Sequence, residues 1–283
     1  MASRIRSEVK RFFNNFFKVI KRPDMVLLPG NLSFFFVLAI VPTVALISYF
    51  ASILNVNTNL IYDFLSNSFS ESVANIVLGV SFNGMSGINF AITIIVGLYI
   101  ASNGADCIIT TSNAIYGIDN KTWIIRRLKA IGMTFLLIFL FILILLVQVF
   151  GNTITDILVS ANLSSAIVNP IVLTFRIIEG PITWLIIFFI IKLLYTIAPD
   201  RKIRGMVVNY GAIFTTVMWI LGTTLYAYYA TNFASYTALY GGIANVIILM
   251  IWMYFLCYVF TIGIALNYRE EKRLEKNGSL IEE

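Results

Sequence analysis

Six apolar stretches dominate the pattern of hydrophobic and polar positions along the chain. A helix needs roughly 20 predominantly apolar residues to cross about 30 Å of hydrocarbon. Stretches of this kind run over Asn31–Leu54, Ile88–Cys107, Leu128–Phe150, Leu173–Tyr195, Met206–Tyr229 and Gly241–Asn267. The pattern therefore predicts an all-α fold, a polytopic membrane helix bundle with six transmembrane helices.

Composition argues against a soluble globular protein. Of the 283 residues, 59% are hydrophobic and 12% are charged, whereas soluble domains are about 45–50% apolar and about 25% charged. So small a polar fraction does not cover a globule of this size. The chain is therefore expected to use lipid as its solvent.

Among the segments outside the apolar stretches, Lys and Arg occur only in alternate ones. They precede the first stretch, lie between the second and third and between the fourth and fifth, and follow the sixth. The connections 55–87, 151–172 and 230–240 contain neither residue type. Because cytoplasmic loops carry the excess of Lys and Arg, both termini are predicted to be cytoplasmic.

The same distribution bears on partners. The net charge is +6, but nucleic-acid binding concentrates basic residues in one patch or stripe. Here they occur at every predicted cytoplasmic edge. Membrane lipids with anionic headgroups are therefore the expected neighbours, and nucleic acid is not an expected partner.

Two segments outside the apolar stretches carry the spacing of amphipathic helices. Near the N-terminus the apolar residues are Ile5, Val9, Phe12, Phe13, Phe16 and Ile20, and in the 55–87 connection they are Ile61, Leu65, Phe69, Val73 and Ile76. Phenylalanines on one face with cations elsewhere favour an interfacial helix, which either anchors the first span or gathers lipid. The chain thus divides into an amphipathic cytoplasmic segment (1–30), a transmembrane domain (31–267) and a charged cytoplasmic tail (268–283).

Four residues in the first two stretches have a structural interpretation. Pro42 removes a helix hydrogen bond near the middle of the first span, which predicts a packing kink or, alternatively, a hinge or cavity wall. Gly97, Ala101 and Ala105 recur at intervals of four in the second span. Such a stripe lets another helix approach closely.

Five polar residues within or near the spans are candidates for a substrate pathway: Asn103, Asp106, Arg176, Glu179 and Lys192. Ionisable groups inside a bilayer are costly, so they commonly mark functional sites. Each also has a simpler explanation. Asp106 can reach the cytoplasmic interface, Arg176 and Glu179 can pair locally at the headgroup level, and Lys192 can snorkel to the surface.

The sequence lacks the residue patterns that usually indicate an enzyme active site. It contains no histidine, which removes the commonest general base and metal ligand. The carboxylates are dispersed, and no GxxxxGK[ST] phosphate loop occurs. We therefore expect no catalytic residues, no metal site and no cofactor.

Several stretches resemble the bacterial YihY/BrkB family, historically misnamed ribonuclease BN. They are Asn31-Leu-Ser33 with Pro42, Asn113-Ala-Ile-Tyr116 before Arg126 and Arg127, and the segment from Asn232 to Gly241 ahead of a span closing in Leu266-Asn267. The resemblance covers most of the chain, from about Asn31 to Asn267. In one departure, Ala265 stands where the family commonly has an acidic residue, so no role of that carboxylate carries over.

The resemblance implies a bacterial inner-membrane protein of the cell envelope that transports or translocates a lipid or lipid-linked amphiphile. Two alternatives remain: a small-solute or ion transporter, and a non-transporting scaffold that associates with itself or with envelope proteins. The historical ribonuclease name conflicts with the residues, because metal-dependent phosphodiesterases need clustered His, Asp or Glu ligands. A ribonuclease is not expected.

Overall fold

The structure, a computed structural model, describes residues 21, 24–53, 62, 66, 87–160, 165–232 and 242–276. These residues form six long α-helices and, within those ranges, no β-strand. The helices are α1 (Asp24–Ile53), α2 (Gly87–Tyr116), α3 (Trp123–Ser160), α4 (Ser165–Ile197), α5 (Asn209–Asn232) and α6 (Gly242–Lys276). The predicted all-α class is confirmed for this part of the chain.

Four of the helices contain described stretches long and apolar enough to cross a membrane. These stretches are Ile94–Tyr116, Gly180–Ile197, Asn209–Tyr229 and Ile247–Lys276. A shorter apolar stretch, Met25–Ile40, lies within α1. A multi-pass membrane protein follows from this pattern. The full count of six crossings stays a prediction.

Several helices extend beyond the predicted spans. α1 begins at Asp24 rather than Asn31, α2 continues past Cys107 to Tyr116, and α6 continues past Asn267 to Lys276. Backbone hydrogen bonding does not stop where the hydrocarbon stops, so hydropathy locates the membrane but not the helix end. The division at 30/31 and 267/268 stays a prediction. Both predicted amphipathic interfacial helices fall on residues that lie almost entirely outside the described part.

α2 ends in a defined cap. Gly117 has φ of 66°, the left-handed conformation that glycine adopts without steric cost. The Ile118 amide donates to the Asn113 carbonyl (2.9 Å) and the Gly117 amide to the Ala114 carbonyl (3.4 Å). These bonds form a Schellman motif, which turns the chain sharply towards α3.

The buried core lies mainly between α2, α4, α5 and α6. Its least exposed members include Ile109, Ile191, Ala212 and Ala265. Ala265 is the position at which the resembled family commonly has a carboxylate, and here it is fully buried in apolar packing. A second cluster joins α1, α2, α3 and α6.

α5 and α6 approach each other closely at two glycines. A Cβ at Gly211 would overlap the Gly263 carbonyl oxygen and the Asn267 side chain, and a Cβ at Gly263 would overlap the hydroxyls of Tyr195 and Thr215. The Gly211 amide donates to Asn267 Oδ1 at 2.6 Å. This contact packs the start of α5 against α6.

Candidate functional site

An ion pair joins α2 to the first turn of α3. Arg126 Nε donates to Asp106 Oδ1 at 2.8 Å, and the two side chains are 21% and 24% exposed. Asp106 lies on the face of α2 that meets the first turns of α3. The pair is therefore neither buried nor freely solvated.

Arg127 lies beside this pair and is almost entirely buried, with 8% of its surface exposed. Its Nη1 donates to Asn103 Oδ1 (2.9 Å) and its Nη2 to the Tyr99 carbonyl (2.8 Å). The guanidinium carbon lies 3.6 Å from the centroid of the Tyr99 ring, a cation–π contact. We call Tyr99, Asn103, Asp106, Arg126 and Arg127 the arginine cluster.

The arginine cluster carries a net positive charge. Guanidinium groups stay protonated in proteins, so the two arginines contribute two positive charges against one carboxylate. Arg127 has only neutral acceptors, and no described carboxylate lies within ion-pair distance of it. The cluster therefore suits the binding of an anion.

A second polar network connects α2 and α3 to the loop after α4. Lys129 Nζ donates to Asp200 Oδ1 (2.7 Å) and to the carbonyls of Ala198 (2.7 Å) and Pro199 (3.0 Å). Asn113 donates to Asp200 Oδ2 (2.7 Å) and accepts from the Asp200 amide (2.8 Å). We call Asn113, Lys129 and Asp200 the Asp200 network.

The carboxyl group of Asp200 is stabilised in its charged form. Burial alone would raise its pKa, but hydrogen bonds from Lys129 and Asn113, the charge of Lys129 and the Lys121 amide together lower the pKa below its ordinary value. Lys129 also satisfies carbonyls just past the end of α4, where a cation is favourable. The network holds the loop after α4 against α2 and α3.

The end of α6 joins the same surface. Arg201 pairs with Glu271, and the Arg201 guanidinium lies 5.2 Å from the centroid of the Tyr116 ring. Tyr116 in turn packs edge-on against Tyr268. The loop after α4 is thus attached to both α2 and α6.

The structure brings two of the five predicted pathway residues together. Asn103 and Asp106 belong to the arginine cluster. Lys192 is half-buried on α4, and no hydrogen bond or ion pair among the described residues links it to the cluster. Arg176 and Glu179 lie in α4, but their side chains are outside the described part. A shared pathway stays a prediction.

The four residues with a structural interpretation lie along the contact between α1 and α2. A Cβ at Gly97 would approach the Cβ of Pro42 to 3.9 Å, an ordinary contact. Ala101 and Ala105 are buried. In this position small side chains permit close packing of the two helices.

Sequence reasoning overlooked the partners that make the site. Arg126 and Arg127 served there as topology signals and as part of the family resemblance, not as site residues, and Asp200 was not singled out. One signal was available: Asp106 lies at the end of the second apolar stretch and Arg126 just before the third, so two consecutive antiparallel spans place them at a similar depth. No such signal existed for Asp200, which is 87 positions from Asn113.

The chemistry that these groups offer is electrostatic. Guanidinium N–H donors suit carboxylate and phosphate oxygens. Within the described residues, no group of three or more Cys, Asp or Glu side chains is placed to hold a metal ion. The site is therefore described by its charge and its donors.

Comparison with known proteins extends this description. The family described as "Virulence factor BrkB" matches residues 16–281. The putative ribonuclease-like protein YfkH of Bacillus subtilis is 30% identical over 252 residues, which cover 86% of this chain and 89% of YfkH. No solved structure matches.

Shorter matches carry a membrane-protein name. The UPF0761 membrane protein IL2447 of Idiomarina loihiensis is 31% identical over 97 residues, 34% of each chain. The UPF0761 membrane protein PM1616 of Pasteurella multocida is 34% identical over 85 residues, 30% of this chain and 26% of that protein.

Proposed function

Because the chain belongs to the virulence factor BrkB family of membrane proteins, we propose that it moves a lipid or lipid-linked amphiphile within or across the bacterial cytoplasmic membrane. Both termini then lie in the cytoplasm, which the alternation of connections with and without Lys or Arg supports. The arginine cluster is placed at the cytoplasmic leaflet, where anionic headgroups are its neighbours.

The observation that supports the proposal best is the partly exposed pair of Asp106 and Arg126. It lies beside a strongly apolar exterior, because Ile125, Leu128 and Phe139 on α3 are 51%, 66% and 58% exposed. A lipid has the same amphiphilic division, with a charged headgroup attached to apolar chains. A soluble solute would gain nothing from the apolar part of this surface.

A non-transporting scaffold is the second candidate, and one observation favours it. The ammonium of Lys129 and the carboxylate of Asp200 take all their described partners from within the chain. Because these charged groups are paired within the chain, the cytoplasmic surface that they form is rigid. A rigid surface suits the binding of a partner protein or a second copy of the chain. Transport of a small solute or ion has less support, because it usually needs midplane polar groups or broken helices.

Nuclease activity is not proposed, although YfkH carries a ribonuclease-like name. Phosphodiester hydrolysis needs clustered metal ligands or a closely spaced acid–base pair. The chain has no histidine, and its 14 Asp and Glu residues are dispersed. We therefore assign no enzymatic role to the arginine cluster.

The test begins with mass spectrometry of the lipids that remain bound after gentle extraction from native membranes. We expect one lipid or lipid-linked species to be enriched over its membrane proportion. Reconstituted liposomes should then move that species between leaflets, and Asp106→Asn should change the rate at least severalfold, because the variant breaks the ion pair.

Glu275→Gln supplies the matched control, since it removes a carboxylate from the exposed pair of Lys272 and Glu275 on α6. Its transport rate should equal that of the wild type. Lipid recovered in bulk proportions, together with no leaflet exchange, would contradict transport and favour the scaffold.

A further inference from the structure

Arg127 presents an unusual electrostatic situation for a buried group. It is a permanent cation, and its two described acceptors are the Asn103 side-chain amide and the Tyr99 carbonyl. Both acceptors are neutral. Burying a charge without an opposite charge is costly, and the stacked Tyr99 ring offsets only part of that cost.

The Arg127 side chain also retains unused donor capacity. Its Nε–H is inaccessible and has no acceptor among the described residues. A buried donor without an acceptor loses its hydration and gains nothing in return. An anion that accepted from this N–H would remove both the charge imbalance and the unsatisfied donor.

The neighbouring Asp106 and Arg126 provide a way in. This pair lies at the surface of the cluster with roughly a fifth to a quarter of each side chain exposed. Its single carboxylate neutralises one of two adjacent arginines. An incoming anion can exchange with Asp106 on Arg126, and a shift of the Arg127 side chain then brings its inaccessible Nε–H to the anion.

The surroundings of the cluster select the kind of anion. Trp123, Ile124 and Leu128 are 61%, 63% and 66% exposed at the start of α3. Tryptophan favours the membrane–water interface, and the two aliphatic side chains suit acyl chains. The immediate neighbourhood of the arginines is therefore apolar at the level where phosphate groups of lipids lie.

We propose that Arg126 and Arg127 form a binding site for the phosphate group of an anionic phospholipid in the cytoplasmic leaflet. Arg127 supplies the buried charge, and Arg126 supplies the exposed one. Asp106 is an internal competitor that occupies Arg126 when no lipid is bound. This inference rests on the proposed function in taking a lipid as the ligand, but it concerns binding and not movement.

The proposal predicts opposite effects for two substitutions. Asp106→Asn removes the competing carboxylate and should raise the affinity for phosphatidylglycerol about tenfold, the value of one charge-assisted hydrogen bond. Arg127→Gln should lower that affinity by about tenfold or more. The affinity of Arg127→Lys should lie between those of Arg127→Gln and the wild type. Native mass spectrometry of the full-length protein, titrated with phosphatidylglycerol, counts the bound lipids.

Two comparisons distinguish a specific phosphate-binding site from a general electrostatic attraction between the protein and anionic lipid. Glu275→Gln raises the net charge by the same amount as Asp106→Asn, yet lies away from the cluster on α6, and should leave the affinity unchanged. A phosphate-free galactolipid with the same acyl chains should show no difference among the variants. If Asp106→Asn and Glu275→Gln bind phosphatidylglycerol equally, the site as proposed does not exist.

The remaining outcomes also decide the question. Displacement of phosphatidylglycerol by an equal concentration of inorganic phosphate would mean that the acyl chains contribute nothing, and would overturn the assignment to a lipid. If Arg127→Gln fails to fold, Asp106→Asn and Arg127→Lys carry the test. If the variants change binding as predicted but no lipid moves between leaflets in liposomes, the site is upheld and only the transport proposal is refuted.

Discussion

Arg127 and Asp200 are both buried charges, but their surroundings differ. Asp200 has an ammonium, an amide side chain and a backbone N–H directed at it, whereas Arg127 has only neutral acceptors. A buried charge with a complete set of partners serves stability, and one without a counter-charge is a candidate for binding. At the residue scale, this contrast separates the two networks.

The stability contributed by Asp200 should depend on pH. Its pKa is lowered in the folded protein, so the folded state favours the carboxylate. That contribution is present above the pKa of the unfolded chain, about 3.9, and is lost as pH falls through the lower folded value. We expect Asp200→Asn to reduce stability at pH 7 by roughly 1–3 kcal/mol.

Thermal unfolding in detergent, followed by tryptophan fluorescence at pH 7 and near pH 3, measures the effect. The difference between wild type and Asp200→Asn should shrink at the lower pH. Asp119→Asn, at an exposed position of the loop after α2, is the matched control and should unfold like the wild type at both values. If wild type and Asp200→Asn differ in melting temperature by the same amount at both pH values, the charge of Asp200 is not the cause of its stabilising effect.

At the element scale, α5 and α6 depend on two glycines and α2 on a third. Gly211 and Gly263 permit the close approach of two helices, and Gly117 permits the turn after α2. Three hydroxyl or amide side chains, Tyr195, Thr215 and Asn267, fill the remaining space with hydrogen bonds. A helix contact of this kind relies on shape, because lipid offers no hydrophobic force between helices.

Gly263→Ala is therefore expected to destabilise the bundle. The new methyl group would collide with the buried Tyr195 and Thr215 hydroxyls, and such overpacking costs typically 1–3 kcal/mol, about the same expected here. Gly132→Ala on α3 has no atom within 4 Å of the added Cβ and should be neutral or slightly stabilising. Equal melting temperatures for the two variants, measured in the same detergent, would contradict the described packing.

At the scale of the whole molecule, the alternation of connections with and without Lys or Arg predicts the orientation in the membrane. Three connections with no Lys or Arg alternate with basic ones. The arginine cluster, the Asp200 network and the pair of Arg201 and Glu271 all occur beside the basic connections. The described polar interactions between elements are thus concentrated on the predicted cytoplasmic side.

Orientation is testable with single cysteines and a membrane-impermeant maleimide. Lys202→Cys, in the loop after α4, should react only in inside-out vesicles, and Ser235→Cys, between α5 and α6, should react in spheroplasts. The native Cys107 and Cys257 are buried, so the unmodified protein provides a low background. Reaction of Lys202→Cys in sealed spheroplasts would reverse the predicted topology.

The sequence by itself determined the helical class, the membrane environment and the predicted orientation. These properties depend on the length of apolar runs and on the charge of the connections, both of which are local along the chain. It also identified Asn103 and Asp106 as unusual, because a polar group in an apolar run is visible without any knowledge of its partner.

Only the tertiary structure decided which polar groups meet. Arg127 reaches Tyr99 across 28 positions, and Gly211 reaches Asn267 across 56. The register and crossing of two helices determine such contacts, and these depend on how side chains along both helices pack together. Neither residue type nor spacing along one helix encodes that packing, so the pairing of charges, and with it the candidate anion site, appears only when the helices are assembled.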